Sequence, residues 1–121
     1  DNEEMREEFE AVLKSKKNIF KTDSLKALIM PKPLPWADFL DEDNELDFIV
    51  FQRDDGNWMA RGVPVKKASM KVKMTKRSWQ GLHDEELSER AGVKDLIFYH
   101  KTGFILVGKT KESIIKALEK F

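Results

Sequence analysis

The sequence predicts an α+β domain with a small, mostly antiparallel sheet, built from two hairpins and flanked by N-terminal and C-terminal helices. Two pairs of short, β-rich apolar segments are each joined by a turn signal, Asp54-Asp55-Gly56-Asn57 in one pair and Lys101-Thr102-Gly103 in the other. Amphipathic helical patterns stand at both ends of the chain. With 121 residues the chain is long enough for one core, so we predict a single domain over residues 1–121.

The first third of the chain predicts a helix, a short strand and a helical turn. Residues 2–16 form an amphipathic helical pattern, which we interpret as a helix packed on the core, with an interdomain connector as the alternative. The apolar face of this pattern consists of Met5, Phe9, Val12 and Leu13. A short strand is expected through residues 28–30, before three prolines that prevent regular structure. Pro35-Trp36 then precedes a helical turn at residues 37–40, and an acidic loop follows at residues 41–45.

The first hairpin pairs residues 47–52 with residues 58–65, because the segment between them consists of turn-forming residues. The lysine-rich segment that follows, residues 66–76, is expected to be extended, with Val72 and Met74 pointing inward.

The rest of the chain predicts a helix, the second hairpin and a last helix. A short helix at residues 84–90 is expected to stop at Gly92. Residues 95–100 and 104–108 form the second hairpin. Thr110 is the predicted N-cap of the last helix, at residues 111–120. The residues of this helix expected to face the core are Ile114, Ile115 and Leu118.

Composition limits the classes of function. Charged residues make up 36% of the chain and hydrophobic residues 40%, as in soluble globular domains. The formal net charge is zero, so any attraction for nucleic acid must be local. The chain has no cysteine, which excludes a disulfide framework, a zinc knuckle and a thiol nucleophile.

The sequence shows neither an apolar run of the roughly 18 residues that a membrane helix needs nor a signal-peptide pattern. We therefore expect an intracellular protein that does not contact a membrane. The chain begins at Asp1 rather than at Met, which we interpret as a fragment of a longer protein, although processing or engineering would leave the same start.

The sequence offers no catalytic or metal-binding set. His83 and His100 do not have the spacing of a metal-ligand pair. Residues 41–45 resemble the opening of a calcium loop but lack its glycine and its closing glutamate, so a solvated acidic loop is favoured. The serines lie in no nucleophile elbow. We predict no catalytic residue, no metal site and no cofactor in this chain.

Two segments have the composition of an anion-binding site. Residues 61–77 contain seven cationic side chains and no acidic one, and Trp79 follows directly. Such a stretch can follow a phosphate backbone, with Arg77 on a phosphate and Trp79 stacked on a base. The alternatives are a solvated edge strand protected by lysines and, for Trp79, packing in the core.

The second segment is Gly108-Lys109-Thr110, at the start of the last helix. A helix N-terminus presents free N–H groups, and glycine lets a phosphate approach closely. The alternative is a plain capped helix start, since the spacing is not that of a Walker loop. His100 and Lys101, beside the second hairpin turn, are expected to join these residues in one converging polar set.

Together, several segments resemble the C-terminal part of the melanocyte-proliferating-gene (MYG) family of DHH-superfamily phosphodiesterases. The main match is the run from Ser78-Trp79-Gln80-Gly81-Leu82 through Leu87, followed by Phe98-Tyr99-His100 and Gly103-Phe104-Ile105. Further matches are Pro35-Trp36, Phe48-Ile49-Val50-Phe51, Gly56-Asn57-Trp58 and Lys109-Thr110-Lys111-Glu112. The resemblance divides the chain into a helical connector and lead-in, residues 1–34, and a family-like substrate-binding domain, residues 35–121.

The resemblance implies that a separate N-terminal DHH domain carries an Asp/His site for Mn²⁺ or Mg²⁺, while this part holds the substrate. It implies substrate contacts at His100, Gly103 and Gly108-Lys109-Thr110. The chain departs from the family here, because Val107-Gly108-Lys109 replaces a Gly-Gly-His sequence, so that Lys109 would supply the charge. The family's RNA exonuclease activity implies a nuclear or mitochondrial location in a eukaryote, and a cytoplasmic one otherwise.

We therefore expect the phosphate-clamping domain of a metal-dependent phosphodiesterase or RNA exonuclease, not catalytic alone. Its partners would be single-stranded RNA or another phosphodiester, and the catalytic DHH domain of the same protein, while a homodimer is left open. One alternative is a domain that binds a nucleotide or small phosphoester. The other is a non-catalytic module that mediates assembly.

Overall fold

The computed structural model, which describes residues 2–67, 69 and 71–121, contains six strands in one open sheet. The strands are β1 Ile19–Lys21, β2 Lys26–Ile29, β3 Phe48–Gln52, β4 Trp58–Gly62, β5 Leu96–Tyr99 and β6 Ile105–Gly108. The helices are α1 Asn2–Lys14, α2 Trp36–Phe39, α3 Asp84–Ala91 and α4 Lys111–Leu118, with 3₁₀ turns at Lys16–Asn18 and Arg77–Trp79. The predicted α+β class is confirmed.

The strand order is β1-β2-β3-β4-β6-β5. The two predicted hairpins, β3–β4 and β5–β6, both form, and β4 pairs with β6 to join them into one antiparallel block. β2 and β3 pair in parallel, so the chain between them must cross over, and this crossover contains the prolines and α2. β1 was not predicted from the sequence, because its three residues are too few to show a period.

The sheet carries a hydrophobic core on each face. One core contains side chains of α3 and α4 with Phe48 and Val50 of β3, and the other contains Phe9 of α1 with Ile49. Alternate residues of a strand point to opposite faces, so an uninterrupted apolar run in β3 supplies both cores. Phe9 is 1% exposed, which confirms the interpretation of the first helix as one that packs on the core.

Several predicted boundaries differ from the structure by two or three residues. The first helix ends at Lys14, β4 ends at Gly62 and the last helix ends at Leu118. Ile115 is half-buried rather than turned fully inward, and Ser113 and Ala117 are buried beside Ile114 instead. Within the described residues no helix is long and apolar enough to cross a membrane.

The lysine-rich segment forms a loop and no strand of the sheet, and Ala68 and Met70 lie outside the described residues. Its prediction as an extended segment is confirmed at Val72, which forms an antiparallel bridge with Pro64. The N–H of Val65 donates to Lys71 O at 2.9 Å and that of Lys73 to Val63 O at 2.9 Å, which folds the segment back over the end of β4. Val72 is buried, as predicted. The edge-strand alternative is wrong, because the edges of the sheet are β1 and β5.

We expect Phe48→Ala to lower the free energy of unfolding by about 3–5 kcal/mol, because the ring is fully buried and its loss leaves a cavity. Chemical denaturation followed by circular dichroism measures this change. Val65→Ala is the control: Val65 is 43% exposed, and its truncation should change stability by less than about 0.5 kcal/mol. Equal losses in the two variants would contradict the assignment of the core.

Candidate functional site

The tip of the β5–β6 hairpin is a tight turn organised by His100. Its N–H donates to Ile105 O at 2.8 Å, and its carbonyl accepts from the N–H of Gly103 at 2.9 Å. The ring Nδ1 accepts from the N–H of Thr102 at 3.1 Å and lies 2.7 Å from Thr102 Oγ1. An accepting Nδ1 places the proton of the neutral ring on Nε2, so Nε2–H is the group available to donate to an anion.

Behind this tip lies a polar network centred on Tyr99. The Tyr99 hydroxyl lies 3.0 Å from Thr75 Oγ1, accepts from the N–H of Lys76 at 3.1 Å and donates to Gly103 O at 3.4 Å. Gln80 Nε2 also donates to Thr75 Oγ1, at 3.1 Å. The network fixes the residues before the Arg77–Trp79 turn against the hairpin tip. No local sequence pattern indicates this network, since its hydrogen-bonded partners are up to 24 residues apart.

Gly103 is required by packing at this point. Its φ is +79°, and an added Cβ would lie 2.3 Å from Thr75 Oγ1 and 3.2 Å from the Tyr99 hydroxyl. A side chain therefore has neither the backbone conformation nor the space it needs.

Two candidates precede the hairpin in sequence, the aromatic Trp79 and the cationic Arg77. Trp79 lies in the core. It is 3% exposed, and its ring makes edge contacts with Tyr99 and Phe121 at centroid distances of 6.4 and 5.4 Å. This burial supports the packing alternative and leaves little ring surface on which a base can stack. Arg77, in contrast, is exposed and pairs with no carboxylate in the described part of the chain.

The start of α4 is a complete capping box. Thr110 Oγ1 accepts from the N–H of Ser113 at 3.0 Å, and the N–H of Thr110 donates to Ser113 Oγ at 3.3 Å. Gly108 is packed so closely that an added Cβ would lie 2.4 Å from Ser113 Oγ. Lys109 is exposed, and its N–H is bonded to Asp95 O at 2.8 Å. What remains for an anion is the Lys109 ammonium group and the first-turn N–H groups, opposed by the nearby Glu112.

The hairpin tip and the start of α4 lie at opposite ends of the sheet. Arg61 pairs with Ile105 at one end of the β4–β6 ladder, and Trp58 pairs with Gly108 at the other, three residues away. Three residues of strand span about 10 Å. The expectation that these residues converge in one polar set is therefore wrong. A single phosphate cannot contact both clusters.

Beside the hairpin tip is a groove of about 460 Å³. Its walls come from the crossover between β2 and β3, from the end of β4, from the lysine loop and from Phe104. Gly62 lines the groove and also packs closely against the hairpin tip. A Cβ added to Gly62 would lie 3.3 Å from Gly103 O of the tip and 2.8 Å from Val72 Cγ1. From the sequence, Arg61 was only one of the seven cations of residues 61–77, and Trp36 and Phe104 were not predicted as site residues, since only the fold brings the three together.

The structure divides the cations of the lysine-rich segment into two groups. Lys73 Nζ donates to Asn44 O at 2.7 Å, and Lys76 Nζ donates to Lys120 O at 2.6 Å, so these two have structural roles. The exposed cations of residues 61–77, which form no ion pair with a carboxylate of the described residues, are Arg61, Lys66, Lys67, Lys71 and Arg77. In the same part of the chain, no three His, Asp or Glu side chains are grouped closely enough to hold a metal ion.

Comparison with known proteins gives a family. The family model MYG1_exonuc, described as "Uncharacterised protein family (UPF0160)", matches residues 2–120. A MYG1 protein of Saccharomyces cerevisiae is 32% identical over 97 residues, which cover 74% of this chain and 29% of that protein. A MYG1 protein of Schizosaccharomyces pombe is 27% identical over 119 residues, or 92% of this chain and 34% of that protein.

The MYG1 exonuclease of Homo sapiens is 30% identical over 69 residues, which cover 56% of this chain and 18% of that protein. No solved structure matches the chain. The chain thus spans about a third or less of the length of these relatives.

We expect this protein to lose stability as the pH rises above the usual tyrosine pKa of about 10. Burial raises the pKa of Tyr99, while its hydrogen bonds with Thr75 and Lys76 act in the opposite direction. The unfolded chain therefore releases this proton at a lower pH than the folded chain, and the free energy of unfolding falls between the two pKa values. Urea unfolding across this pH range measures the fall.

Tyr99→Phe is the matched variant, because Tyr99 is the chain's one tyrosine and the other titrating groups stay the same. Its alkaline loss of stability should be smaller than that of the parent chain. Parallel curves for the two proteins would contradict the role of Tyr99. The near-ultraviolet absorbance of tyrosinate follows the titration of this one residue directly.

Proposed function

We propose that this chain, which belongs to the MYG1_exonuc family, is the substrate-binding domain of a metal-dependent phosphodiesterase or RNA exonuclease. One observation carries this proposal: the family match extends over residues 2–120, while relatives that are named exonucleases are several times longer than the matched segment. Catalysis would then belong to a separate DHH domain that binds Mn²⁺ or Mg²⁺. The described residues, which contain no grouped metal ligands, would hold the substrate.

The geometry supports a single-stranded RNA that runs along the domain, with different phosphates of the RNA at the two ends of the sheet. At one end the phosphate would meet His100 Nε2–H and the exposed Lys101, beside the turn that Gly103 makes possible. At the other end it would meet Lys109 and the first N–H groups of α4. Thr110 would act there through its cap, and Gly108 through the close packing that it permits.

Arg77 would add a further cation near the hairpin tip, since it is exposed and has no carboxylate partner in the described residues. Trp79 would support the site from the core rather than stack on a base.

A domain that binds a nucleotide or a small phosphoester is the second candidate function. The groove beside the hairpin tip favours it, because about 460 Å³ lies within the range of about 300–1,000 Å³ that small-molecule sites occupy. The two functions differ in one respect. A small-ligand domain binds an oligonucleotide no more tightly than a mononucleotide, while a domain that binds single-stranded RNA gains affinity as the oligonucleotide lengthens.

We expect the 121-residue chain to bind a labelled single-stranded RNA with an affinity that falls steeply as salt increases, because each neutralised phosphate releases counterions. Fluorescence anisotropy measures the dissociation constant at several salt concentrations. Lys109→Ala should reduce the slope of log K against log salt by about 0.7, the value for one contact to a single strand. His100→Ala combined with Lys109→Ala should weaken binding further, and nearly additively, because the two residues lie at opposite ends of the sheet.

Lys14→Ala provides the control, since it makes the same charge change at the exposed end of α1, near the β1 edge and away from both clusters. It should leave the salt slope unchanged. Affinity equal to that of the parent chain in the double variant, or an equal loss in Lys14→Ala, would remove these residues from the site.

We further expect the chain alone to have no nuclease activity with either Mg²⁺ or Mn²⁺, because its described residues offer no grouped carboxylate and histidine ligands to position such an ion. Gel analysis of a labelled RNA after long incubation tests this. The same preparation must bind RNA in the anisotropy assay, which shows that it is folded. Cleavage that copurifies with the chain and stops on addition of a chelator would place catalysis in this domain and overturn the proposal.

A further inference from the structure

We propose that the groove beside the hairpin tip binds one nucleotide, with its base against Trp36 and Phe104 and its phosphate on the cations at the rim. The nucleotide is either free or one unit of a bound strand. This inference deepens the proposed function by adding a base-binding subsite, and it rests on that function for the class of ligand. Trp36 and Phe104, which would contact the base, do not belong to the phosphate clusters at His100 and Lys109.

The rim of the groove carries three exposed cations, Arg61, Lys66 and Lys67. None of them is within ion-pair distance of a carboxylate in the part of the chain that the structure describes. Arg61 is held by the ladder of β4, and a guanidinium group offers paired N–H donors to phosphate oxygens. The two lysines lie on the loop that directly follows this strand, so the three positive charges face one region.

Two half-buried aromatic rings line the groove, Trp36 and Phe104. Both come from ordered backbone. The carbonyl of Trp36 accepts from the N–H of Leu40 at 3.0 Å, and that of Phe104 accepts from the N–H of Gly62 at 2.7 Å. A nucleobase stacks on aromatic rings whatever its sequence, and rings held in place lose little freedom on binding. An apolar lining with cations at its edge therefore suits a base joined to a phosphate better than an inorganic anion.

Two carboxylates, Asp41 and Glu42, also line the groove and limit the charge of the ligand. With three cations opposite them, the net excess is one positive charge, which matches one phosphodiester rather than a polyphosphate. Carboxylate oxygens accept hydrogen bonds from the amino groups of bases and from ribose hydroxyls. A ligand with N–H or O–H donors and a single phosphate satisfies both kinds of charge.

The groove is formed before any ligand binds, because hydrogen bonds connect the two loops that form its walls. Glu42 Oε1 accepts from the backbone N–H of Lys67 at 3.4 Å, and Lys73 Nζ donates to Asn44 O at 2.7 Å. These bonds join the acidic crossover loop to the lysine loop, and their partners are 25 and 29 residues apart in sequence. A binding site whose loops are already joined in this way does not have to order them when the nucleotide enters.

Tryptophan fluorescence tests the inference directly. The chain has three tryptophans: Trp36 lines the groove, Trp58 begins β4 at the other end of the sheet, and Trp79 is buried. Titration with adenosine 5′-monophosphate, corrected for absorption by the ligand, should quench the fluorescence to a saturating value. Trp58→Phe should keep this quenching, whereas Trp36→Phe should abolish it, because only Trp36 lies beside the base.

Two further measurements separate the base from the phosphate. Ribose 5-phosphate, which lacks the base, should compete about tenfold more weakly than the mononucleotide, as expected for the loss of one stacked base. Phe104→Leu should weaken binding of the mononucleotide by a similar factor, whereas the matched Phe51→Leu, on β3, should not. Arg61→Ala should weaken binding of both ligands, and a nucleoside triphosphate should bind no more tightly than the monophosphate.

Three outcomes would overturn the inference: no saturable quenching in the folded parent chain, quenching that persists in Trp36→Phe, or ribose 5-phosphate that binds as tightly as the nucleotide. The anisotropy assay with single-stranded RNA distinguishes this failure from failure of the proposed function. RNA binding without nucleotide binding would remove the groove and keep the substrate-binding domain. Absence of both would remove the proposed function as well.

Discussion

The burial of β3 on both faces is the constraint on which the rest of the structure depends. Phe48, Ile49 and Val50 are each 0% exposed, and together they contribute to both cores of the domain. A strand with two buried faces needs helices on each side, and each fully buried side chain of this size contributes about 1.5–3 kcal/mol. This requirement places α1 and α2 against one face of the sheet and α3 and α4 against the other. The parallel pairing with β2 forces the crossover that later forms a wall of the groove.

The elements that could be predicted from the sequence are those whose signals are local. The turn at Asp54-Asp55-Gly56-Asn57 defines the first hairpin, Gly92 ends α3 with a φ of 69°, and Thr110 begins α4 through its capping box. Such signals depend on a few neighbouring residues, so their physics is visible without the fold. β1 was missed although it pairs with β2 across only five to nine residues, because its three residues are too few to show a period. The path of the lysine loop could not be predicted, because a contact distant in sequence, from Lys73 to Asn44, decides it.

The candidate site shows the same limit more clearly. Residues 100–103 and 108–110 are close in sequence, which suggested one polar set, yet a strand of a hairpin carries the chain from one end of the sheet to the other. Conversely, Trp36, Arg61 and Phe104 are far apart in sequence and line one groove. Proximity along the chain is therefore a poor guide to a binding site in a β-rich domain. The topology of the sheet has to be known first.

The two glycines of the predicted site also change their meaning once the structure is known. Gly108 was a candidate because glycine lets a phosphate approach, and Gly103 because the family resemblance implied a substrate contact there. However, Gly103 is required by Thr75 and Gly108 by Ser113. Packing alone explains both glycines, so neither is evidence for a ligand. The same test applied to the cations excludes Lys73 and Lys76, whose ammonium groups already bind carbonyl oxygens. The evidence for anion binding then rests on side chains for which the fold provides no other role, and at the groove end of the sheet these include Arg61, Lys66 and Lys67.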